Sequence, residues 1–322
     1  MSAMARTSGG FRAGLLIGWT VLCVAGILYA RSKDIPSWAA LPALAAFLIE
    51  YPFYLVPAFP EVRERLAGER LPGFLVASAV LPYLACCAGA VPFQLLSLVK
   101  LAALALALGL WYRVFPAHPL SDLGFLSMVV AVKLGRYAAG IYPVPFRGIE
   151  IGILGDLALF QIAVMVLMLA RRVPETGYGL WPTARDWRIG ALHFFCFAPI
   201  GVALGLGLNA VHFARPAEPL KLIGYFFAWL LVLTLAEEFF FRGVLQEWLE
   251  EWTKSRSAAL LATSVLFGAV HLWFRQYPNW RWVIIASALG WFCGRARNQA
   301  GSIRAGMVTH TLTIVAWRAF FT

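Results

Sequence analysis

Long apolar runs limit this chain's folding options more than any other feature. They recur at about 13–30, 38–59, 72–97, 101–115, 125–142, 151–170, 189–213, 221–241, 258–274, 282–294 and 304–321. The runs are far longer than barrel strands, and they do not alternate polar with apolar. Of all residues, 61% are hydrophobic and only 13% are charged, and the mean hydropathy is +0.74. In lipid only helices and closed barrels satisfy their own backbone, so the pattern leaves helices. A crossing needs about 20 residues, and the runs at 101–115 and 282–294 fall short of that. The sequence therefore predicts an all-α polytopic transmembrane helix bundle with about eight to eleven membrane helices.

The net charge of +11 does not indicate nucleic acid. The basic residues are scattered singly or in pairs between apolar runs, as topology signals are, and no basic stripe carries interleaved aromatics. If every run crosses, one side collects Arg6, Arg12, Arg63, Arg65, Arg70, Arg171, Arg172, Arg185, Arg188, Lys254, Arg256, Arg295 and Arg297. The other side collects the sparser Arg31, Lys33, Lys100, Arg147, Arg215, Arg275 and Arg281. The positive-inside rule then puts the N-terminus in the cytoplasm. An Ala/Leu/Arg-rich composition favours a bacterial inner membrane, with the lipid bilayer as the obligatory partner. The five cysteines all lie in apolar runs without a CxxC pair and read as small buried hydrophobes. The first apolar stretch ends in Ala-Arg-Ser-Lys without a small-x-small cleavage site, so it reads as an uncleaved span.

The interval from Arg171 to Arg188 is polar, with two prolines and two glycines, and makes the best internal boundary. It divides residues 1–185, transmembrane helices of unassigned role ending in a polar linker, from residues 186–322. Ionisable residues before it are ordinary. After it they are not.

In the stretch TLAEEFFFRGVLQEW, Glu237 and Glu238 stand inside an apolar run, four residues before Arg242 for the second of them. A charge at the centre of a membrane helix costs roughly 2.5–3.5 kcal/mol on insertion scales, so such residues point to function. Spacing by one turn predicts that Arg242 pairs with Glu238, which leaves Glu237 for chemistry. The glutamates lie about 17 residues before the turn at Lys254, and His271 about 16 after it. In a straight antiparallel hairpin all three then meet roughly 25 Å from the turn. His310 is buried in the last run, 304–321. A carboxylate and an imidazole can together activate a water, and a second imidazole can donate to a developing oxyanion. Two histidines and a glutamate are also a zinc set, although no HExxH is present. Spacing alone leaves both chemistries open.

These residues carry a resemblance. EEFFFR, from Glu237, resembles the EExxxR motif of the CPBP (CAAX protease/Abi) family of intramembrane proteases, which includes the type II CAAX prenyl protease. FGAVH, Phe267 to His271, resembles its FxxxH motif, and GSIRAGMVTHTLTI resembles the third motif around His310. The likeness covers about 220–318 and implies a protease core within 186–322. It implies a metal-free glutamic endopeptidase in which Glu237 is the base and His271 helps activate water. Glu238 and Arg242 would support the site, and His310 would serve the oxyanion pocket. The implied partner is a protein or peptide substrate in the membrane, either prenylated and CAAX-type or a C-terminal sorting segment. The family often has Asn four residues after the third-motif histidine; this chain has Ile314, with Thr311 or Thr313 as substitute donors. The alternatives are a zinc-dependent version of the protease and a non-catalytic scaffold or immunity protein of the same fold. The oligomeric state is not legible in the sequence.

Overall fold

The computed structural model describes residues 2–174, 177–214 and 218–321. Helix makes up 78% of the chain, and among the described residues there is no strand, only an isolated bridge between Phe213 and Phe321. Among the described residues five helices are long and apolar enough to cross a membrane: Gly9–Ser32, Ser37–Ala58, Ala184–Gly207, Lys221–Thr253 and Arg256–Trp273. Length and composition give these five and do not establish the eight to eleven expected from counting every run. The runs near 72–97, 101–115 and 151–170 instead form apolar helices of 10–17 residues, Arg70–Cys86, Leu95–Gly109 and Ile153–Leu169. The last two runs lie in helices of spanning length, Trp280–Ala300 and Ile303–Phe320, but arginines at 281, 295, 297, 304 and 318 lower their hydropathy.

The chain divides into two compact units, Met1–Pro174 and Glu175–Thr322. The first contains α1 (Ser2–Ser32), α2 (Ser37–Leu55), α3 (Arg70–Cys86), α4 (Leu95–Gly109), α5 (Pro119–Leu134) and α6 (Ile153–Leu169). Helix α6 is apolar on every side and almost wholly buried, as such a helix must be, so it forms the unit's centre. Helices α1 and α2 approach closely where glycines replace side chains. A methyl at Gly18 would run into the Tyr51 ring, and the Tyr51 hydroxyl donates to the Gly14 carbonyl at 2.9 Å. The buried Asp122 accepts both arms of Arg171, at 2.7 and 2.8 Å, and the Tyr112 hydroxyl at 2.9 Å. This fork fixes α5 against the end of α6.

The second unit contains α7 (Ala184–Gly207), α8 (Lys221–Thr253), α9 (Arg256–Trp273), α10 (Trp280–Ala300) and α11 (Ile303–Phe320). Local sequence sets each boundary. Thr183 and Asp186 form a reciprocal capping box at α7. Ser255, Asn279 and Ser302 cap α9, α10 and α11 through their side-chain oxygens. Lys254 and Gly301 take left-handed conformations that end α8 and α10. Gly190 lets α7 press on α11: an added Cβ there would lie 2.6 Å from the Ala305 carbonyl, and Thr309 Oγ1 donates to the Gly190 carbonyl at 2.9 Å. The α8–α9 hairpin is closed by Phe241 and Phe267, edge to face at 5.0 Å. The site is built between α8, α9, α10 and α11.

Candidate active site

Two π-helical segments, Trp229–Leu233 and Phe239–Leu245, flank a short α-helical piece, Thr234–Glu238, within α8. Such wide turns often accompany functional sites, because each one re-aims the residues beside it. Both glutamates lie on the α-helical piece, where neighbours point about 100° apart, so they face different surroundings. Glu237 lines a cavity and keeps 29% of its side chain accessible. Glu238 is fully buried.

Glu238 Oε1 accepts from Arg242 Nη1 at 3.0 Å, the one-turn pairing expected from the spacing. The same oxygen receives His310 Nδ1 at 2.9 Å. A carboxylate only accepts, so the His310 Nδ1–H is the donor. Arg242 is itself fully buried. Its Nη2 donates to the Gly290 carbonyl at 3.2 Å, and its guanidinium carbon lies 4.3 Å from the Phe267 ring centroid. Burying two charges is expensive, and these added partners are what make the pair tolerable.

His271 closes α9 with its Nδ1 at 2.8 Å from the Phe267 carbonyl. That carbonyl only accepts, so Nδ1 carries the proton and Nε2 is left as an acceptor. His310 Nε2 is 3.7 Å from Glu237 Oε2, beyond direct hydrogen bonding and within reach of one bridging water. Phe267 stands between the groups, with its ring 5.0 Å from His271 and 5.4 Å from His310. The phenylalanine of the second motif thus spaces two imidazoles and covers a guanidinium.

Glu237, His271 and His310 all line one cavity of about 420 Å³. Its walls are apolar, with Phe197, Trp229, Phe274, Trp282 and Trp317 among them. Of the two threonines named as substitute donors, Thr311 is fully buried and its hydroxyl pairs with that of Thr234 at 2.9 Å. It does not line the cavity. Thr313 does, with its hydroxyl donating to the Thr309 carbonyl at 2.8 Å. Ile314 lines the wall beside it.

Glycines make room for the buried acid. A Cβ on Gly306 would lie 2.5 Å from Glu238 Oε2, and one on Gly290 would lie 3.2 Å from Arg242 Nη2. Sequence reasoning missed these positions, and the small residues of GSIRAGM were the available signal. Gly306→Ala is expected to lower stability by about 1–3 kcal/mol through overpacking, and to reduce activity with it. The control is Gly224→Ala in α8, where nothing lies within 4 Å of the added methyl. That change should be neutral or slightly stabilising in thermal unfolding. Equal behaviour of the two variants would show that the acid is not held this tightly.

One group has the donor types and spacing for a metal. Ligand atoms of Glu238, Cys293 and His310 all lie within 4.8 Å of one another, and His271 is not in the group. The fit is poor on electrostatic grounds. Glu238 Oε1 is already shared by a guanidinium and an imidazole N–H, and a dication would meet Arg242 at close range.

Carboxylates and imidazoles thus meet on one apolar-walled cavity of an all-helical membrane protein. Residues 219–315 match the family described as type II CAAX prenyl endopeptidase Rce1-like, which is the CAAX protease family that the motifs resemble. The match contains Glu237, Glu238, Arg242, His271 and His310. Residues before 219 lie outside it. Neither the curated proteins nor the solved structures give a match.

Proposed function

We propose that this protein is an intramembrane endopeptidase that cleaves a membrane-associated protein with a water activated by Glu237 and His271. The observation that carries the reading is the meeting of Glu237, His271 and His310 on one apolar-walled cavity. Glu237 is the accessible acid, and Glu238 is committed to Arg242 and His310. In this reading Glu237 takes the proton of the attacking water, and His271 Nε2 accepts from the same water. The carbonyl carbon gains the oxygen, and its own oxygen becomes an oxyanion. His310, held from behind by Glu238, presents Nε2 to the cavity, and in its doubly protonated form that nitrogen donates to the oxyanion. Protonated Glu237 then returns its proton to the leaving amine, which restores the carboxylate. Thr313, on the same wall as Ile314, holds a hydroxyl near the position where the family often has Asn, and it would donate to the oxyanion only by turning from the Thr309 carbonyl.

The family match and the apolar wall support a lipid-linked substrate. A prenylated CAAX-type protein suits both, and a C-terminal sorting segment is the other form of substrate with the same apolar character. We assign the enzyme to a bacterial inner membrane on its Ala/Leu/Arg-rich composition, with its N-terminus in the cytoplasm on the arginine bias of its loops. No metal enters the mechanism.

The test is cleavage of a fluorescent S-farnesyl-cysteine peptide, bearing three aliphatic residues after the cysteine, by protein purified in detergent. Mass spectrometry should find a new C-terminus, and 1,10-phenanthroline should leave the rate unchanged. Loss of activity with the chelator, restored by zinc, would replace the glutamate mechanism with a metal one. An intact peptide after incubation with folded protein, together with a cellular phenotype unaffected by Glu237→Gln, would favour a non-catalytic scaffold.

A further inference from the structure

Helices α7, α9, α10 and α11 share two ends, and contacts tie each end together. At the first end, Arg185 Nη2 donates to the Gln299 carbonyl at 3.3 Å, and Arg304 Nε pairs with Asp186 at 3.2 Å. Gln246 Nε2 donates to Asn298 Oδ1 at 2.9 Å, and Arg256 Nε to Glu250 at 3.0 Å. This end gathers the start of α7, the α8–α9 turn and the α10–α11 turn. At the second end, Arg281 Nη1 donates to the Asn209 carbonyl at 3.0 Å, and the Ala214 N–H to the Phe320 carbonyl at 2.9 Å. The rings of Trp282 and Trp317 meet there at 4.7 Å. This end gathers the close of α7, the α9–α10 loop and the close of α11.

The cavity that holds Glu237, His271 and His310 belongs to the second end. Val211, Phe274, Trp282 and Phe321 line it, and each lies within about one turn of a helix terminus there. Toward the first end the lining stops early. It stops on α11 at His310, on α10 at Leu289 and on α9 at His271. At the helical rise these residues stand about 10, 16 and 22 Å from Ile303, Ala300 and Arg256. The chamber thus reaches one end of the helices and falls well short of the other.

Basic residues favour the end that the chamber does not reach. Arg185, Arg188, Lys254, Arg256, Arg295, Arg297 and Arg304 lie at the first end. The second end has Arg275, Arg281 and Arg318, and the segment leading into α8 adds Arg215 and Lys221. Lys and Arg beside spans collect on the cytoplasmic side, and acidic residues count little. Seven against five has the same sign as the bias of the whole chain, and it turns the first end toward the cytoplasm. A protein lipidated and kept in the cytoplasm would meet the first end, where the cavity has no lining. An exported protein anchored by an apolar helix meets the second, and the apolar walls suit such a segment.

We propose that the cavity opens on the extracytoplasmic side of the membrane, and that its substrate is an exported protein anchored by one apolar helix. This rests on the protease reading above and chooses between its two forms of substrate.

The experiment uses full-length protein in a bacterial inner membrane. Gln276→Cys marks the α9–α10 loop and Gln299→Cys the end of α10, both at exposed positions. Spheroplasts are treated with a membrane-impermeant polyethylene glycol maleimide. Adducts are counted by gel shift against the parent, which sets the background of the five native cysteines. Gln276→Cys is expected to gain one adduct on intact spheroplasts, and Gln299→Cys only after detergent opens them. The reverse pattern puts the cavity on the cytoplasmic side and overturns the proposal. The same cells carry a reporter made of a secreted domain, an apolar segment of about 20 residues and a basic tail. Wild-type protein should release the domain with a new C-terminus by mass spectrometry, and Glu237→Gln should lower that release by about 100-fold. A reporter left intact by an outward-facing protein defeats the exported substrate. Cleavage of the farnesyl peptide in detergent then separates the causes. If the peptide is cut, the protease reading stands and the substrate assignment alone is wrong. If neither is cut, the protease reading fails with it.

Discussion

Glu237→Gln is expected to lower turnover by about 100-fold or more while leaving thermal unfolding unchanged within about 0.5 kcal/mol. General-base assistance typically contributes 10²–10⁴ in rate, and an amide of the same shape cannot accept the water's proton. Stability should survive because Glu237 borders the cavity and is 29% accessible, and its closest ionic neighbour, His310, is 3.7 Å away. His271→Ala should cost a similar factor, since it removes the Nε2 acceptor from the same wall. His310→Ala should lower turnover by about 10²–10³ as an oxyanion donor is lost. That variant also strips a partner from buried Glu238, so its stability must be measured alongside. Turnover of the farnesyl peptide in detergent, normalised to folded protein, checks all three. If Glu237→Gln folds normally and cleaves at the parent rate, the role assigned to Glu237 is wrong.

Much of this cluster was legible because helical spacing carries it. The four-residue step from Glu238 to Arg242 reads directly as a pair on one face. The count across the Lys254 turn brings Glu237 and His271 to the same depth, and both line one cavity. Other features are not periodic and left no such trace. The π-helical segments that flank Thr234–Glu238 have no signature in the residue types of WLLVL or FFFRGVL. Thr311 and Thr313 look equivalent as hydroxyls, yet they are two residues apart on a helix and so point to different sides. One meets Thr234, and the other meets the cavity. Run lengths do not fix the number of crossings, because an apolar run reports burial, and a helix such as α6 is buried inside its unit whatever its length.

The largest stability effect is expected at Arg242. Arg242→Met removes the guanidinium from a fully buried pair and leaves Glu238 without its counter-charge. Breaking a buried ion pair from one side typically costs about 3–5 kcal/mol, because the stranded charge keeps its desolvation penalty. The methionine is apolar and of similar length, so it keeps packing against Phe267, while the Gly290 carbonyl loses one donor. The loss is therefore mainly electrostatic. A second change tests that statement: Arg242→Met combined with Glu238→Gln removes both charges, and it should recover stability to within about 1 kcal/mol of the parent. The amide oxygen still accepts the His310 Nδ1–H, so the ring keeps its position. Turnover should not recover with stability. Neutralising the carboxylate behind a catalytic imidazole withdraws support from its charged form, as it does in the serine protease triad, and here at least a tenfold deficit is expected to remain. Thermal unfolding in detergent and peptide turnover are measured on the same preparations. If the single variant melts with the parent, the ion pair does not hold α8 in place. If the double variant stays as unstable as the single, packing around Arg242 matters more than its charge. The separation of the two readouts distinguishes an ion pair that carries the fold from one that carries the chemistry, and the bonds of Glu238 to both Arg242 and His310 predict that this one does both.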